Sequence, residues 1–407
     1  MSQWLALILD SALHSVYSCR GCRGQPATNK NRMVSDFSSI VRQLRSAMSA
    51  VVSRTDTDGS LLENFENLAL ELFEAQFAHN VTYRAWCESL GRTPTSVRHL
   101  NHIPSVPTSA FKEFDLSCLP LDSRTTVFHS SGTTLQKRSR HFHDAISLTV
   151  YEASLRPWFA RYLLPTHRDQ ASELRLISLT PDVQAAPHSS LAYMIKTVEQ
   201  KFFPGRAVFA GRVESGNWEL DWERLIPALD VAGRLAQPVC LAGTAFSFVH
   251  LLEHLDAEQR TLSLPPGSRV METGGYKGRS RELARGELHP LICEKLGVMR
   301  SMVVCEYGMS ELSSQAYDRI AGGDNGMDAD RRCFHFPPWC FARVVNPESG
   351  LEVDVNQSGV LQILDLANVY SVACIRTEDI AIRRDLGFEL VGRAMQAEPR
   401  GCSLMTA

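Results

Sequence analysis

The densest run of chemistry-bearing residues lies between Phe128 and His143 and reads FHSSGTTLQKRSRHFH. Ser130, Ser131, Gly132, Thr133 and Thr134 place five small residues in a row, four with hydroxyls, and Lys137, Arg138, Arg140 and two histidines follow. A glycine lets the backbone approach a ligand closely. Hydroxyls and backbone N–H groups can cradle phosphate oxygens, and the basic residues can neutralise them. The run is not the GxxxxGK[ST] pattern, so a Walker-type NTPase is disfavoured. Standing alone, it reads first as a plain turn. Four further stretches accompany it. METGGYKGR at 271–279 offers a Gly274–Gly275 turn and Tyr276, flanked by Glu272 and Lys277. CEYGMSELSSQ at 305–315 carries Tyr307, Gly308, Ser310 and Glu311. RTEDI at 376–380 sets Asp379 beside an apolar run, and VGRAMQAEPRGC at 391–402 sets Arg393 and Cys402 each near a glycine. Taken singly, Glu311 and Asp379 are ordinary solvated carboxylates, and Cys402 is an incidental thiol.

The elements that must position these residues follow from periodicity. From Asp36 to Ala78 the apolar spacing is helical, with Leu61, Leu62, Phe65, Leu68, Leu72, Phe73 and Phe77 in a broad stripe. Residues 82–90 extend that region, and IPSVPTSAF at 103–111, with two prolines, ends it. Beyond residue 125, short apolar runs at 175–179, 207–210, 238–241, 269–272 and 301–305 read as strands. The stretches 144–163, 189–202, 219–234, 244–258 and 278–296 have helical length and spacing. Alternating strand and helix predicts an α/β fold with a largely parallel sheet. Past residue 340 the runs 340–345, 359–364 and 373–382 are β-rich and turn-separated, which predicts a terminal β subdomain.

Composition bounds the function. A chain of 407 residues allows two or three domains, or one large one. With 44% apolar and 21% charged residues it is globular. The 42 basic and 45 acidic side chains leave a net charge of −3, which gives no electrostatic reason to expect a nucleic-acid partner. No run approaches the ~18 apolar residues of a membrane span, so a cytoplasmic enzyme is expected. The 11 cysteines are odd in number and scattered, as reduced thiols are, unlike a disulfide framework. Cys19-Arg20-Gly21-Cys22 has no second pair at zinc spacing, so no zinc site is expected. Residues 4–9 are apolar but lack a basic leader, and Asp10 cuts the run short, so residues 1–35 are expected to be a disordered extension.

In their order along the chain, SSGTT, GGYKG, YGMSE and the terminal GR with a closing GCSL resemble the adenylate-forming superfamily, which joins a carboxylate to AMP. The set is most similar to the acyl-protein synthetase branch, the fatty-acid-activating component of the bacterial bioluminescence reductase complex. The resemblance covers roughly residues 100–405 and takes in PTSAFK at 107–112 and APHSSLAYM at 186–194. It implies that Ser130 to Thr134 wrap the phosphates of ATP and that Gly274, Gly275 and Tyr276 line the adenine pocket. It further implies that Tyr307 closes that pocket, Ser310 contacts the α-phosphate, Glu311 holds Mg²⁺, Asp379 accepts the ribose hydroxyls and Arg393 sits at a hinge. Cys402 is then the acyl acceptor, as a thioester, for delivery to a reductase. His188 either faces the carboxylate pocket or serves as a loop histidine, ahead of a helix that Ser189 or Ser190 caps.

Two departures stand out. Leu135 replaces the second glycine of the superfamily's common SSGTTG. Most members also continue into a further domain carrying a catalytic lysine, whereas 14 residues follow Arg393 here, leaving Lys137, Arg138 or Lys277 to supply charge. The acyl-protein synthetase branch is similarly short. The expected layout is an extension at 1–35, an adenylate-forming α/β domain at 36–392 with parallel sheets flanked by helices, and a tail at 393–407 in place of the small C-terminal domain. Two other functions remain open: a ligase that passes the adenylate to coenzyme A or a carrier-protein thiol, and a non-catalytic nucleotide-binding subunit.

Overall fold

The computed structural model describes residues 26–51, 62–130, 137–165, 174–274, 285–323 and 332–393. Three helices open the chain: α1 (Pro26–Val51), α2 (Phe65–His79) and α3 (Val81–Ser89). On α2, Phe65, Leu68, Ala69, Leu72, Phe73 and Gln76 recur at helical spacing and are all buried. Asn80 ends α2 and starts α3, its side chain accepting a bond from the Tyr83 backbone N–H at 3.0 Å. The expected extension boundary at residue 35 falls inside α1, because the helical backbone begins at Pro26.

Next come β1 (Val106–Pro107), α4 (Ala110–Glu113), β2 (Thr126–His129), β3 (Arg140–His143) and α5 (Ala145–Leu163). Asp144 and Ser147 form a capping box at the start of α5. The chain then alternates through β4 (Arg175–Ser178), α6 (Ser190–Phe202), β5 (Ala207–Phe209), β6 (Gly211–Glu214), β7 (Asn217–Leu220), α7 (Trp222–Arg234), β8 (Val239–Thr244), α8 (Ala245–Ala257), β9 (Arg269–Thr273), α9 (Arg285–Leu296), β10 (Val303–Tyr307) and β11 (Ala316–Tyr317). It closes with β12 (Cys340–Val345), β13 (Ser358–Asp365), β14 (Cys374–Arg384) and β15 (Gly387–Arg393).

A six-stranded sheet runs β11-β10-β9-β8-β4-β5, parallel except for β11. Its inner strands are buried on both faces, as the apolar runs foretold, and the edge strand β5 is half-buried. Alternate residues feed two cores. Leu241, Val270 and Val303 pack with the helices α7, α8 and α9, while Cys240, Met271 and Val304 pack with α5 and α6. The second sheet is antiparallel through β12, β13 and β14. One edge of β14 is shared, with β1 pairing in parallel at Ile375–Arg376 and β15 antiparallel beyond Asp379.

Three expectations shift here. The segment at 103–111 does more than end the helices, since Val106–Pro107 supplies a strand to a sheet built from the far end of the chain. That sheet is no appended subdomain: its residues share one core with α1, α2 and α3, where Leu44, Leu72 and Tyr83 meet Leu361, Ile363 and Ile375. Residues 219–220, read as helix, belong to a β6–β7 hairpin whose turn residues Ser215 and Gly216 have φ of 50° and 79°. That turn needs two left-handed residues, and Asp221 then caps α7. Cys19, Cys22 and residues 394–407, including Cys402, lie outside the described residues.

Candidate active site

The Ser/Thr-rich stretch joins β2 to β3, an antiparallel hairpin paired from Thr126–His143 to His129–Arg140. Its neck is closed by side chains. Ser130 Oγ accepts from the Ser139 N–H at 3.0 Å, and His129 Nδ1 lies 3.1 Å from the Ser139 carbonyl. Ser130 therefore has a structural task beside the phosphate contact expected of it. Ser131, Gly132, Thr133, Thr134 and Leu135 lie outside the described residues. Lys137 at the foot of the loop pairs with Glu113 at 2.7 Å, both side chains more than half exposed. Arg140 pairs with Asp115 at 2.9 Å.

The two histidines of the run do not serve as phosphate-neutralising cations. His141 and His143 alternate onto the buried face of β3, and burial holds both neutral, pulling His141 down to about 4 and His143 well below its ordinary value. His141 instead donates from Nδ1 to the Ser310 carbonyl at 2.9 Å, while Ser310 Oγ donates to the His129 carbonyl at 2.9 Å. These reciprocal bonds dock the hairpin onto the turn after β10.

That turn stands at the carboxyl end of a parallel strand, where open α/β sheets place their ligands. Beside it, β9 ends at Thr273, and Gly274 follows with φ of +72°, a left-handed conformation that favours glycine. Gly275, Tyr276 and Lys277 lie outside the described residues. The Thr273 hydroxyl donates to the Glu306 carboxylate directly across the strands. Burial lifts that carboxyl to about 7, with Thr273 pulling it down and Glu272 pushing it up. A Cβ at Gly308 would sit 2.4 Å from Glu306 Oε1, so any larger residue there would have to displace the buried carboxyl two residues before it.

Tyr307, the last residue of β10, donates its hydroxyl to Asp379 Oδ2 at 2.7 Å. Its ring lies against Phe334, Phe336 and Phe388, with centroids 5.5–6.1 Å apart. Asp379 lies on β14 opposite Arg393 of β15. The Asp379 N–H donates to the Thr377 hydroxyl at 3.0 Å. Glu311 is buried, and its carbonyl accepts from Asn368 Nδ2 at 2.8 Å. Asp365, which the sequence reading passed over, fixes the next residues by accepting from the Ser313 and Ser314 N–H groups and the Ser314 hydroxyl at 2.7–2.9 Å. Burial raises its carboxyl, against the pull of these bonds. The signal available was an aspartate closing an apolar strand in LDLAN at 364–368.

His188 is exposed at the edge of the hairpin. Its Nδ1 lies 3.1 Å from the Val127 carbonyl, its own carbonyl accepts from His129 N–H at 2.9 Å, and Ser189 caps α6. Hydrogen bonds thus join Asp379 to Tyr307, and the Ser310 turn to the neck of the Ser/Thr loop, in one continuous region. Among the described residues no cluster of three or more His, Cys, Asp or Glu side chains gathers to hold a metal ion.

The α/β architecture, with a glycine turn and a buried Tyr307–Asp379 pair at the strand ends, is a fold already seen in solved ligase structures. Solved structures of 2-hydroxyisobutyryl-CoA ligase share the fold. The open form in complex with 2-HIB-AMP and CoA has a TM-score of 0.58 at 16% identity, covering 81% of this chain and 69% of that one. The thioesterification state also scores 0.58, at 15% identity, covering 83% and 73%. The chain belongs to the acyl-protein synthetase family: residues 36–407 match the family described as "Acyl-protein synthetase, LuxE". The long-chain-fatty-acid–luciferin-component ligase of Vibrio harveyi is 26% identical over 341 residues, 82% of this chain and 84% of its own. That of Aliivibrio fischeri is 24% identical over 355 residues, 84% and 87%.

Proposed function

We propose that this protein uses ATP to activate a carboxylic acid of the fatty-acid class as an acyl-adenylate, then takes the acyl group onto Cys402 as a thioester for delivery to a reductase. The observation that carries the reading is the pair of contacts Ser310–His129 and Tyr307–Asp379, which bring the neck of the β2–β3 hairpin and the acidic strand end of the other sheet to the same turn. A carboxylate is a poor electrophile at neutral pH. Attack of its oxygen on the α-phosphorus expels pyrophosphate and leaves a mixed anhydride. Attack of a thiolate on the acyl carbon then expels AMP.

In this reading the loop from Ser130 to Thr134 and Lys137 hold the phosphates, and Asp379, positioned by Tyr307, accepts the ribose hydroxyls. Gly274, Gly275 and Tyr276 form the floor for adenine. Glu311, a single buried carboxylate whose backbone is locked by Asn368, fits Mg²⁺, which needs one or two carboxylates beside the phosphates rather than an all-protein cage. The ion would neutralise charge on the phosphoryl oxygens. Lys277 and Arg393 supply positive charge. Residues 393–407 act as the tail that carries Cys402.

Burial pushes the thiols of Cys87, Cys240 and Cys333 up to about 12, which makes them poor nucleophiles beside a tail cysteine next to Arg400. Every described cysteine is free, as in a reducing compartment such as the cytoplasm. Among the described residues no helix is long and apolar enough to cross a membrane.

Incubation with ATP, Mg²⁺ and a panel of carboxylic acids tests both halves. Acid-dependent exchange of labelled pyrophosphate into ATP and a hydroxylamine-labile acyl adduct on Cys402 are expected. Exchange without an adduct would move the acceptor to coenzyme A or a carrier thiol, and no exchange with any acid would defeat the proposal.

A further inference from the structure

Three helices lie side by side over one core. α1 packs against both α2 and α5. Phe37 and Leu44 of α1, Phe65 and Leu72 of α2 and Val150 of α5 share one buried cluster, so the exposed faces of the three helices point away from it together. α1 and α2 run antiparallel. The Asn64 amide donates to Gln43 Oε1 at 3.4 Å near one end, and His79 Nε2 lies 2.8 Å from Asp36 Oδ2 near the other.

Between α1 and α5 this layer opens into a cleft of about 690 Å³. Arg42, Arg45 and Ser46 line it from α1, Ile146 from α5, and Tyr370 completes the lining beside them. Ile146 is 44% exposed there. Among the described residues neither arginine has an ion-pair partner. The neighbouring α2 carries the opposite sign. Glu66 is engaged by His99 and by the Leu100 N–H, but Glu71 and Glu74 are exposed and have no basic partner among the described residues. The two unpaired sets match in spacing as well as sign. Arg42 and Arg45 are three residues apart on one helix and Glu71 and Glu74 three apart on the other, so each pair is offset by about 4.5 Å along its axis. Within one copy they do not meet, because α1 turns Gln43 toward α2 and its two arginines toward α5.

We propose that two copies of the chain pair through this helical face, Glu71 and Glu74 of each copy entering the α1–α5 cleft of the other against Arg42 and Arg45. A two-fold axis makes the contact self-complementary. The basic cleft and the acidic helix adjoin on one face, so the pairing occurs twice and closes at a dimer. Its strength follows from area. α2 has 15 residues and is about 22 Å long. Three helices spaced about 8–10 Å apart span about 25 Å, which offers about 550 Å² per copy, at the low end of specific interfaces. A weak, reversible dimer that salt loosens is therefore expected. The pairing is independent of the adenylation reading, and none of its residues belongs to the candidate active site.

Sedimentation velocity on the full chain tests it. A monomer–dimer equilibrium in the micromolar range is expected at low salt, with the dissociation constant rising about tenfold or more at ~0.5 M salt. The double variants Arg42→Glu/Arg45→Glu and Glu71→Arg/Glu74→Arg should each be monomeric, since each sets like charge against like in both halves of the contact. Mixed one to one they should dimerise again, because the reversed cleft then meets the reversed helix and the native cleft meets the native helix. All four positions are exposed and unpaired in the fold, so circular dichroism, Tm and pyrophosphate exchange of each variant should match the wild type. A wild-type chain that stays monomeric at every concentration overturns the inference and leaves the cleft to a foreign anionic partner. A dimer that survives both charge reversals places the contact on another face and overturns it equally, as does failure of the two folded variants to recombine.

Discussion

Replacing Glu306 by Gln keeps the shape of the side chain and removes its titration. Burial raises the folded-state carboxyl from its ordinary 4.5 to about 7. The folded protein therefore retains a proton that the unfolded chain has already released above about pH 4.5. The stability contributed by Glu306 is fully present below that pH and is lost as the pH rises through about 7. At 1.36 kcal/mol per pKa unit, the interval amounts to about 3 kcal/mol. His141 and His143 act in the opposite sense: held neutral by burial, they contribute stability above the ordinary histidine range that is lost as the pH falls. The wild-type curve alone mixes these terms, so the informative quantity is the difference between variant and wild type. It should be near zero at about pH 4.5 and reach about 3 kcal/mol in favour of Glu306→Gln by pH 8. Taking ~2.1 cal/mol/K of unfolding entropy per residue over the chain, that corresponds to about 4 °C in Tm. Urea or thermal unfolding from pH 5 to 8 measures it. Parallel curves for the two proteins would refute the claim that Glu306 is buried and protonated.

Other outcomes follow from single contacts. Tyr307→Phe keeps the aromatic packing and deletes the bond to Asp379, a charge-assisted contact of about 1.5–3 kcal/mol. A KM for ATP raised about tenfold or more, with folding retained by circular dichroism, is expected. Asp365→Ala removes the acceptor of three bonds from Ser313 and Ser314, so stability should drop by about 3 kcal/mol in chemical denaturation. Lys137→Ala breaks an ion pair exposed on both sides, worth under about 1 kcal/mol, so a fall in exchange activity at unchanged Tm would assign the lysine to phosphate binding. Cys402→Ser should abolish the acyl-protein adduct seen by intact mass while pyrophosphate exchange continues.

The alternation of β4, β8, β9 and β10 with α7, α8 and α9 was legible because both faces of those strands are covered. Their apolar runs are nearly continuous, and the intervening helices keep their own period. The turn motifs were legible as an ordered set. What stayed hidden depends on partners distant in sequence. Val106–Pro107 carries no strand signal of its own and becomes one only by pairing with Ile375 and Arg376. His141 and His143 look like cations in a basic run, and only the pleat of β3 turns them inward. Glu306 reads as an ordinary acid until Thr273 and Tyr317 are found on either side of it. Asp365 and Asn368 hold the YGMSE turn from another sheet, and no local pattern announces that task.

The placement of β1 between the opening helices and β14 has a bearing on how the chain is made. Val106 and Pro107 leave the ribosome long before the strand they pair with, and the apolar faces of α2 and α3 await that same sheet. During synthesis the amino-terminal third must therefore stay open, with Leu72, Phe73 and Tyr83 uncovered, until the last strands emerge. Translation speed and holdase chaperones are expected to govern soluble yield, and removing β14 by an early stop should leave an aggregation-prone fragment rather than a smaller folded protein.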